Sequence, residues 1–213
     1  MTIANILVER DRALVGVDTL SAFMSGADAV MSEDERRDRH ACKVSFLPEI
    51  SCALTGRGDH MLIGYVHFQL MVGAVRSFDH AVQVMPEVLE FAFRQSMSFR
   101  AMNLDDDLVT FPGADVMLVG WSPSVMRFEA VRWIRREENE DFSYARINGA
   151  LLTPEIDQIE PVETPNTPAR MEAVARQQMK WVNENYPGTC GGRLLLAELR
   201  RGEIDVRTIA SLA

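Results

Sequence analysis

Thr2-Ile3-Ala4-Asn5-Ile6-Leu7-Val8-Glu9-Arg10-Asp11-Arg12-Ala13-Leu14-Val15-Gly16-Val17-Asp18 opens the chain with two runs rich in Ile, Leu and Val, Ile3 to Glu9 and Ala13 to Asp18. Three charged residues, Arg10-Asp11-Arg12, separate them. Aliphatic and β-branched runs of this length around a short polar break predict a β-hairpin. A second hairpin is predicted from Cys42 to Leu47 and Ile50 to Leu54, with Pro48-Glu49 at the turn because proline presets its own φ. Between the two hairpins the residues from Ser25 to Ala41 turn polar, and the mixed-sign run Glu33 to Arg39 reads as a solvated loop or short exposed helix.

Gly56-Arg57-Gly58-Asp59 then leads into an apolar stretch ending near Val75, where Asp59 caps the first turn of a buried helix. Asp79 reads as a second cap, with Val84, Val88, Leu89, Phe91 and Phe93 at helical spacing and Pro86 either in a first turn or at a kink. Strands resume at Asp115 to Trp121, Met126 to Ile134 and Phe142 to Ile147. Thr153 to Pro168 holds four prolines and reads as a connector; a helix starts at Thr167 or Pro168 and runs to about Glu184. Arg193 to Leu199 and Ile204 to Arg207 close the chain as a last hairpin. Strands and helices grouped in blocks predict an α+β fold of stacked antiparallel sheets between helical layers, a four-layer αββα sandwich spanning 1–213 as one domain.

Composition narrows the functional classes. The 213 residues are 47% hydrophobic and 25% charged, the make-up of a chain with a packed core. A net charge of −9 is the wrong sign for gripping phosphate backbones, so a nucleic-acid partner is not expected. Met61 to Val75, the longest apolar stretch, is too short to span a bilayer, and the first residues lack a secretory pattern, so the expected location is the cytoplasm, off the membrane. Cys42, Cys52 and Cys190 form no CxxC pair and read as reduced core thiols. No nucleotide-binding glycine loop occurs, and His60 and His67 lack the carboxylate of an HExxH site, so no cofactor or metal is expected. Gly120-Trp121-Ser122-Pro123-Ser124 lacks the second glycine and the strand-to-helix context of a serine-hydrolase elbow.

Three local features, in this block order, resemble the proteasome β-subunit family of the N-terminal nucleophile (Ntn) hydrolase fold, including its bacterial two-ring members. Thr2 stands ahead of a strand, a turn and Arg12-Ala13-Leu14-Val15-Gly16-Val17-Asp18-Thr19, with Thr2 and Asp18 sixteen positions apart, the family's spacing of nucleophile and aspartate. Lys43 heads a strand that leads on to Ser51-Cys52-Ala53-Leu54-Thr55-Gly56-Arg57-Gly58-Asp59, similar to the family's lysine strand and glycine turn. Gly191-Gly192-Arg193-Leu194-Leu195-Leu196-Ala197-Glu198-Leu199 looks like its closing strand pair.

The resemblance implies a threonine hydrolase that cleaves peptide or amide bonds. With Met1 removed, Thr2 would carry both a hydroxyl nucleophile and a free α-amine to act as its base. Lys43 would sit beside them as a cation held by Asp18, and the N–H near Gly56 would donate to the oxyanion. It also implies a ring or stacked homo-oligomer with a peptide or protein substrate and leaves an ATPase partner open. The chain departs from the family in four places. Residues 25–41 exceed its length, Ile147-Asn148-Gly149-Ala150 stands where a Gly-Ser-Gly turn is expected, the proline-rich connector replaces the helix that should follow that turn, and Pro187-Gly188-Thr189-Cys190-Gly191 replaces an Asp-x-x-Ser-Gly motif. Taken singly, Thr2 also fits an edge strand, Asp18 a turn and Lys43 a solvated surface; a retained Met1 would block the amine. The alternative reading is a non-catalytic Ntn-fold subunit that acts in assembly.

Overall fold

Alternation within the first hairpin sends its side chains into two different cores, which is why the sequence there shows no polar face. Strands β1 (Ala4–Val8) and β2 (Ala13–Asp18) pair antiparallel from Ala4 opposite Val17 to Val8 opposite Ala13. Ala4, Ile6, Val15 and Val17 point into a core between two sheets, whereas Leu7 and Leu14 point the other way, onto a helix. A strand covered on both faces has no pressure to alternate. The computed structural model describes residues 2–20, 43–103, 111–156, 164–187 and 189–212. The polar stretch 25–41 and Cys42 lie outside the described residues.

Two five-stranded antiparallel sheets face one another. The first has the order β10-β9-β2-β1-β8, with β8 (Ala150–Thr153), β9 (Gly192–Arg200) and β10 (Glu203–Leu212). The second runs β3-β4-β5-β6-β7, with β3 (Val44–Leu47), β4 (Cys52–Gly58), β5 (Ala114–Ser122), β6 (Arg127–Arg135) and β7 (Ser143–Ile147). Helices α1 (His60–Val72) and α2 (Phe78–Asn103) cover the second sheet through Leu62, Val66, Leu70, Met85 and Leu89, which pack on Leu54, Val116, Leu118 and Trp133. Helix α3 (Pro168–Asn185) covers the first sheet through Met171, Ala175 and Val182. The result is the four-layer α+β sandwich predicted from the block order. Among the described residues no helix is long and apolar enough to cross a membrane.

Several elements differ from the sequence reading, each for a physical reason. Residues 150–153, to which the sequence reading gave no strand, form one: β8 follows β7 but pairs with β1 in the first sheet. The last strand continues past Arg207 to Leu212 by way of a bulge between Thr208 and Ala210; its exposed polar residues hide the strand pattern because it is an edge. Of the two places open to Pro86, the structure has the interior of α2 and not its first turn. Asp79 does not cap that helix. Ser77 accepts the His80 N–H, while Asp79 accepts the Ser122 hydroxyl at 2.6 Å and the Ser124 N–H at 2.9 Å, tying α2 to the β5–β6 turn. Asp59 does cap α1, accepting from Met61 N and Leu62 N, and its other oxygen accepts from Ser96 and Arg100 of α2.

A buried amide network fixes α3 to the first sheet. The Asn5 amide donates to Gln178 Oε1 at 2.7 Å, and Gln178 Nε2 donates to Asn5 Oδ1 at 3.0 Å and to the Pro154 carbonyl at 3.1 Å. Thr153 N also donates to Asn5 Oδ1, and Asn5, Thr153 and Gln178 are all fully buried. Asn5→Ala strips partners from the Gln178 amide and the Thr153 N–H at once. Leaving buried polar groups unmade costs about 1–3 kcal/mol each, so equilibrium urea unfolding is expected to show a loss of about 2–4 kcal/mol with an unchanged m-value.

Candidate active site

Asp18 is the last residue of β2 and is completely buried. Its Oδ1 accepts the Ile3 N–H at 2.8 Å and Lys43 Nζ at 2.9 Å; its Oδ2 accepts Lys43 Nζ at 2.9 Å and the Gly191 N–H at 3.1 Å. The ammonium therefore bridges both carboxylate oxygens, and two backbone N–H groups from different parts of the chain complete the shell. Lys43 is only 1% exposed at its side chain, so the pair lies out of water. A pair that far inside is tolerated because the two groups bond to each other and every carboxylate oxygen has donors.

Thr2 is brought to the same place by the hairpin register. Ala4 opposes Val17, and Asp18 N donates to the Ile3 carbonyl at 3.3 Å, so the pairing continues one residue past the strand and puts Thr2 beside Thr19. Thr2 is buried at 3% exposure, one residue from the N–H that Asp18 holds. Asp18, Lys43 and Thr2 thus gather at one end of the sandwich, where the two sheets meet.

Gly56 lies on β4. Val44 opposes Thr55 in the ladder, and the Thr55 hydroxyl donates to the Lys43 carbonyl at 2.7 Å, so Gly56 falls across from Lys43 at the end of that pairing. A side chain there has no room. A Cβ built at Gly56 would stand 2.5 Å from the Asp115 carbonyl oxygen and 2.7 Å from Ile63 Cδ1. The close approach of β5 and α1 therefore accounts for this glycine by itself.

The surroundings hold groups to which the sequence reading gave no role at this site. His60, first residue of α1, is close enough to Lys43 and Asp18 to feel their charges: loss of solvent pushes its imidazole below the usual histidine value, the Lys43 cation pushes the same way, and Asp59 opposes them. His67 is unrelated to this site, its Nε2 lying 3.2 Å from the Phe46 carbonyl. Cys190 adjoins Gly191, and burial reinforced by the Asp18 charge pushes its thiol up to about 12, so it is held as a thiol and not as a nucleophile. Beyond Gly56, Arg132 donates to both oxygens of Asp115, at 2.8 and 2.7 Å, and to Glu155 at 3.1 Å. Arg57 joins this cluster with a buried Nε, and burial pushes its guanidinium down. Charge clusters assembled from three strands leave no contiguous signal in sequence.

Ile147-Asn148-Gly149-Ala150 does not approach the site, which corrects its assignment as the counterpart of a Gly-Ser-Gly turn. Val8 N donates to the Gly149 carbonyl at 2.7 Å, placing this turn at the far end of β1. There it helps line an open hollow of about 470 Å³ with Glu9, Arg10, Arg127 and Glu129. The end of β8 nearest the site is Thr153, opposite Ala4. Among the described residues no group of three or more His, Cys, Asp or Glu side chains is placed to hold a metal ion.

No protein-family model matches this chain, and no curated protein matches it in sequence. In three dimensions it is similar to Anbu (ancestral beta-subunit) from Yersinia bercovieri, with a TM-score of 0.61 and 8% sequence identity over 99% of this chain and 87% of that one. At that identity the likeness is one of fold: a four-layer sandwich of two antiparallel sheets between helices.

Two measurements probe the site's physics independently of any reaction. Lys43→Met leaves the Asp18 carboxylate buried without its cation and is expected to cost about 3–5 kcal/mol of unfolding free energy. Asp18→Asn/Lys43→Met together is expected to cost less than the sum of the single changes. In an NMR titration His60 is expected to protonate below the ordinary histidine midpoint of about 6.5. The unfolded chain then binds the extra proton first, so this residue lowers stability as pH falls through that midpoint, and His60→Gln is expected to flatten that part of the stability profile.

Proposed function

We propose that this chain is a proteasome-like threonine hydrolase that cleaves peptide or amide bonds with Thr2 as its N-terminal residue. The observation that carries this reading is the buried Lys43–Asp18 pair next to Thr2, with the Ile3 N–H bound to the same carboxylate. A lysine ammonium locked away from water beside a threonine is costly as mere structure, and it is the arrangement that activates such a nucleophile.

In this reading Met1 is removed and the Thr2 α-amine becomes the base. An α-amine has an intrinsic pKa of about 7.7–8.0, and a neighbouring cation favours its neutral form. The amine takes the proton of the Thr2 hydroxyl as its oxygen attacks the substrate carbonyl carbon. The Gly56 N–H donates to the resulting oxyanion. Collapse of the intermediate breaks the C–N bond, and the amine group of Thr2 returns the proton to the leaving nitrogen. Water, deprotonated by the same amine, then hydrolyses the ester formed on Thr2. Asp18 holds Lys43 in position throughout, and substrates are peptides or proteins acted on by a homo-oligomer.

A second reading, a non-catalytic subunit of the same fold, is favoured by one feature: where the family motif has an aspartate and a serine, this chain has Pro187 and Cys190, the latter held as a thiol, and it is the amide of the motif's glycine, Gly191, that reaches Asp18. The two readings part on the intact mass of the protein made in cells and on labelling by a threonine-directed peptide epoxyketone. Catalysis requires a mass lacking Met1, one covalent adduct per chain, and at least about 100-fold slower labelling in Thr2→Ala. The labelling rate is expected to rise with pH up to about 8, as the amine loses its proton. Retention of Met1, or labelling indifferent to Thr2→Ala, leaves the assembly reading.

A further inference from the structure

Helix α1 is apolar on both faces, and among the described residues only one of them is covered. Leu62, Ile63, Val66 and Leu70 pack on the second sheet and α2. On the opposite face Met61, Phe68, Met71 and Val72 are 38%, 56%, 61% and 59% exposed. Gly64 is exposed among them, and a Cβ built there would meet nothing within 4 Å. From His60 to Val75 the sequence has no Asp, Glu, Lys or Arg. The outward faces of the other helices are ordinary by contrast: α2 shows Gln83, Glu87, Glu90 and Arg94, and α3 shows Arg176, Gln177, Lys180 and Glu184. A helix apolar all round is normally buried all round. The Arg100–Asp59 bond brings the end of α2 to the start of α1.

We infer that this face of α1 is a self-association surface on which a second copy of the chain lays the same helix antiparallel, about a two-fold axis near Gly64 and Phe68. Three observations favour a second copy over another partner. Met61, Gly64, Phe68 and Met71 follow a 3-4-3 spacing, the seam that pairs with an identical seam. The chain carries a net charge of −9, so most of its faces repel a copy of themselves, whereas this stripe brings no charge against itself. Gly64 lets two helix backbones approach, and the methionines adapt to the contact. Two such stripes remove on the order of 1,000 Å² from water, about the floor for a specific association. The inference does not depend on Thr2 being a nucleophile.

Sedimentation of the full chain across a concentration series tests it. The wild type is expected to associate into an even-numbered species, and Phe68→Glu/Met71→Glu is expected to weaken that step at least about 100-fold with circular dichroism unchanged. Glu87→Lys, on the outer face of α2, is expected to leave the mass as it was. Gly64→Cys in a Cys42→Ser background is expected to give a disulfide-linked dimer on mild oxidation, which reads the contact without depending on the folding of the charged variant. A wild-type monomer at every concentration, whether the stripe is bare or covered by the chain itself, overturns the inference. So does an assembly that Phe68→Glu/Met71→Glu leaves intact, or a failure of Gly64→Cys to cross-link.

Discussion

The Asp18–Lys43 ion pair joins the two sheets out of reach of water. Asp18 belongs to the first sheet and Lys43 leads into the second, so one salt bridge spans the sandwich at the end where Thr2 lies. Its geometry has to be good because the desolvation of each ion must be offset locally. The carboxylate accordingly collects four donor contacts, from the start of the chain, from the lysine, and from the segment that precedes β9. Segments far apart in sequence are held to one another by a single charged group, and the placement of Thr2 follows from that convergence.

Much of this was legible in the residues, and what was not has a common cause. The first hairpin, the Asp59 cap and the Thr167 helix start are encoded locally, and the structure has them where local patterns put them. The nearness of Thr2 and Asp18 was visible as a spacing, because a hairpin converts sequence distance into register, whereas Lys43 was suggested by the family resemblance alone. Asp79 was misread because a carboxylate near a helix start has two uses, and the choice between capping and reaching Ser122 is made by the neighbouring turn. Strand β8 was missed because four residues after a Gly turn carry little pattern and their partner, β1, is nearly 150 positions away. Gly56 is ambiguous in sequence for a different reason: packing against Asp115 and Ile63 demands glycine there whatever its backbone N–H does.

The polar groups inside the first helical layer follow the same logic as the ion pair without using charge. Asn5 and Gln178 exchange amide hydrogen bonds, and Thr153 and Pro154 take the remaining capacity. A directional network of this kind admits one rotation and one height of α3 on the sheet, where Met171 and Val182 alone would accept several. Apolar contact supplies most of the attraction and the amides select the register.

The ties between the sheets are unevenly distributed along the strands. At the end remote from Thr2, the chain itself crosses from β7 to β8, Phe128 N donates to the Arg10 carbonyl, and Gly202 N donates to Ser51 Oγ. At the Thr2 end the bridge from Asp18 to Lys43 is the ion pair. The layers are thus stitched by main-chain contacts at one end and clasped by opposite charges at the other. It is the Thr2 end that answers to the loss of a charge.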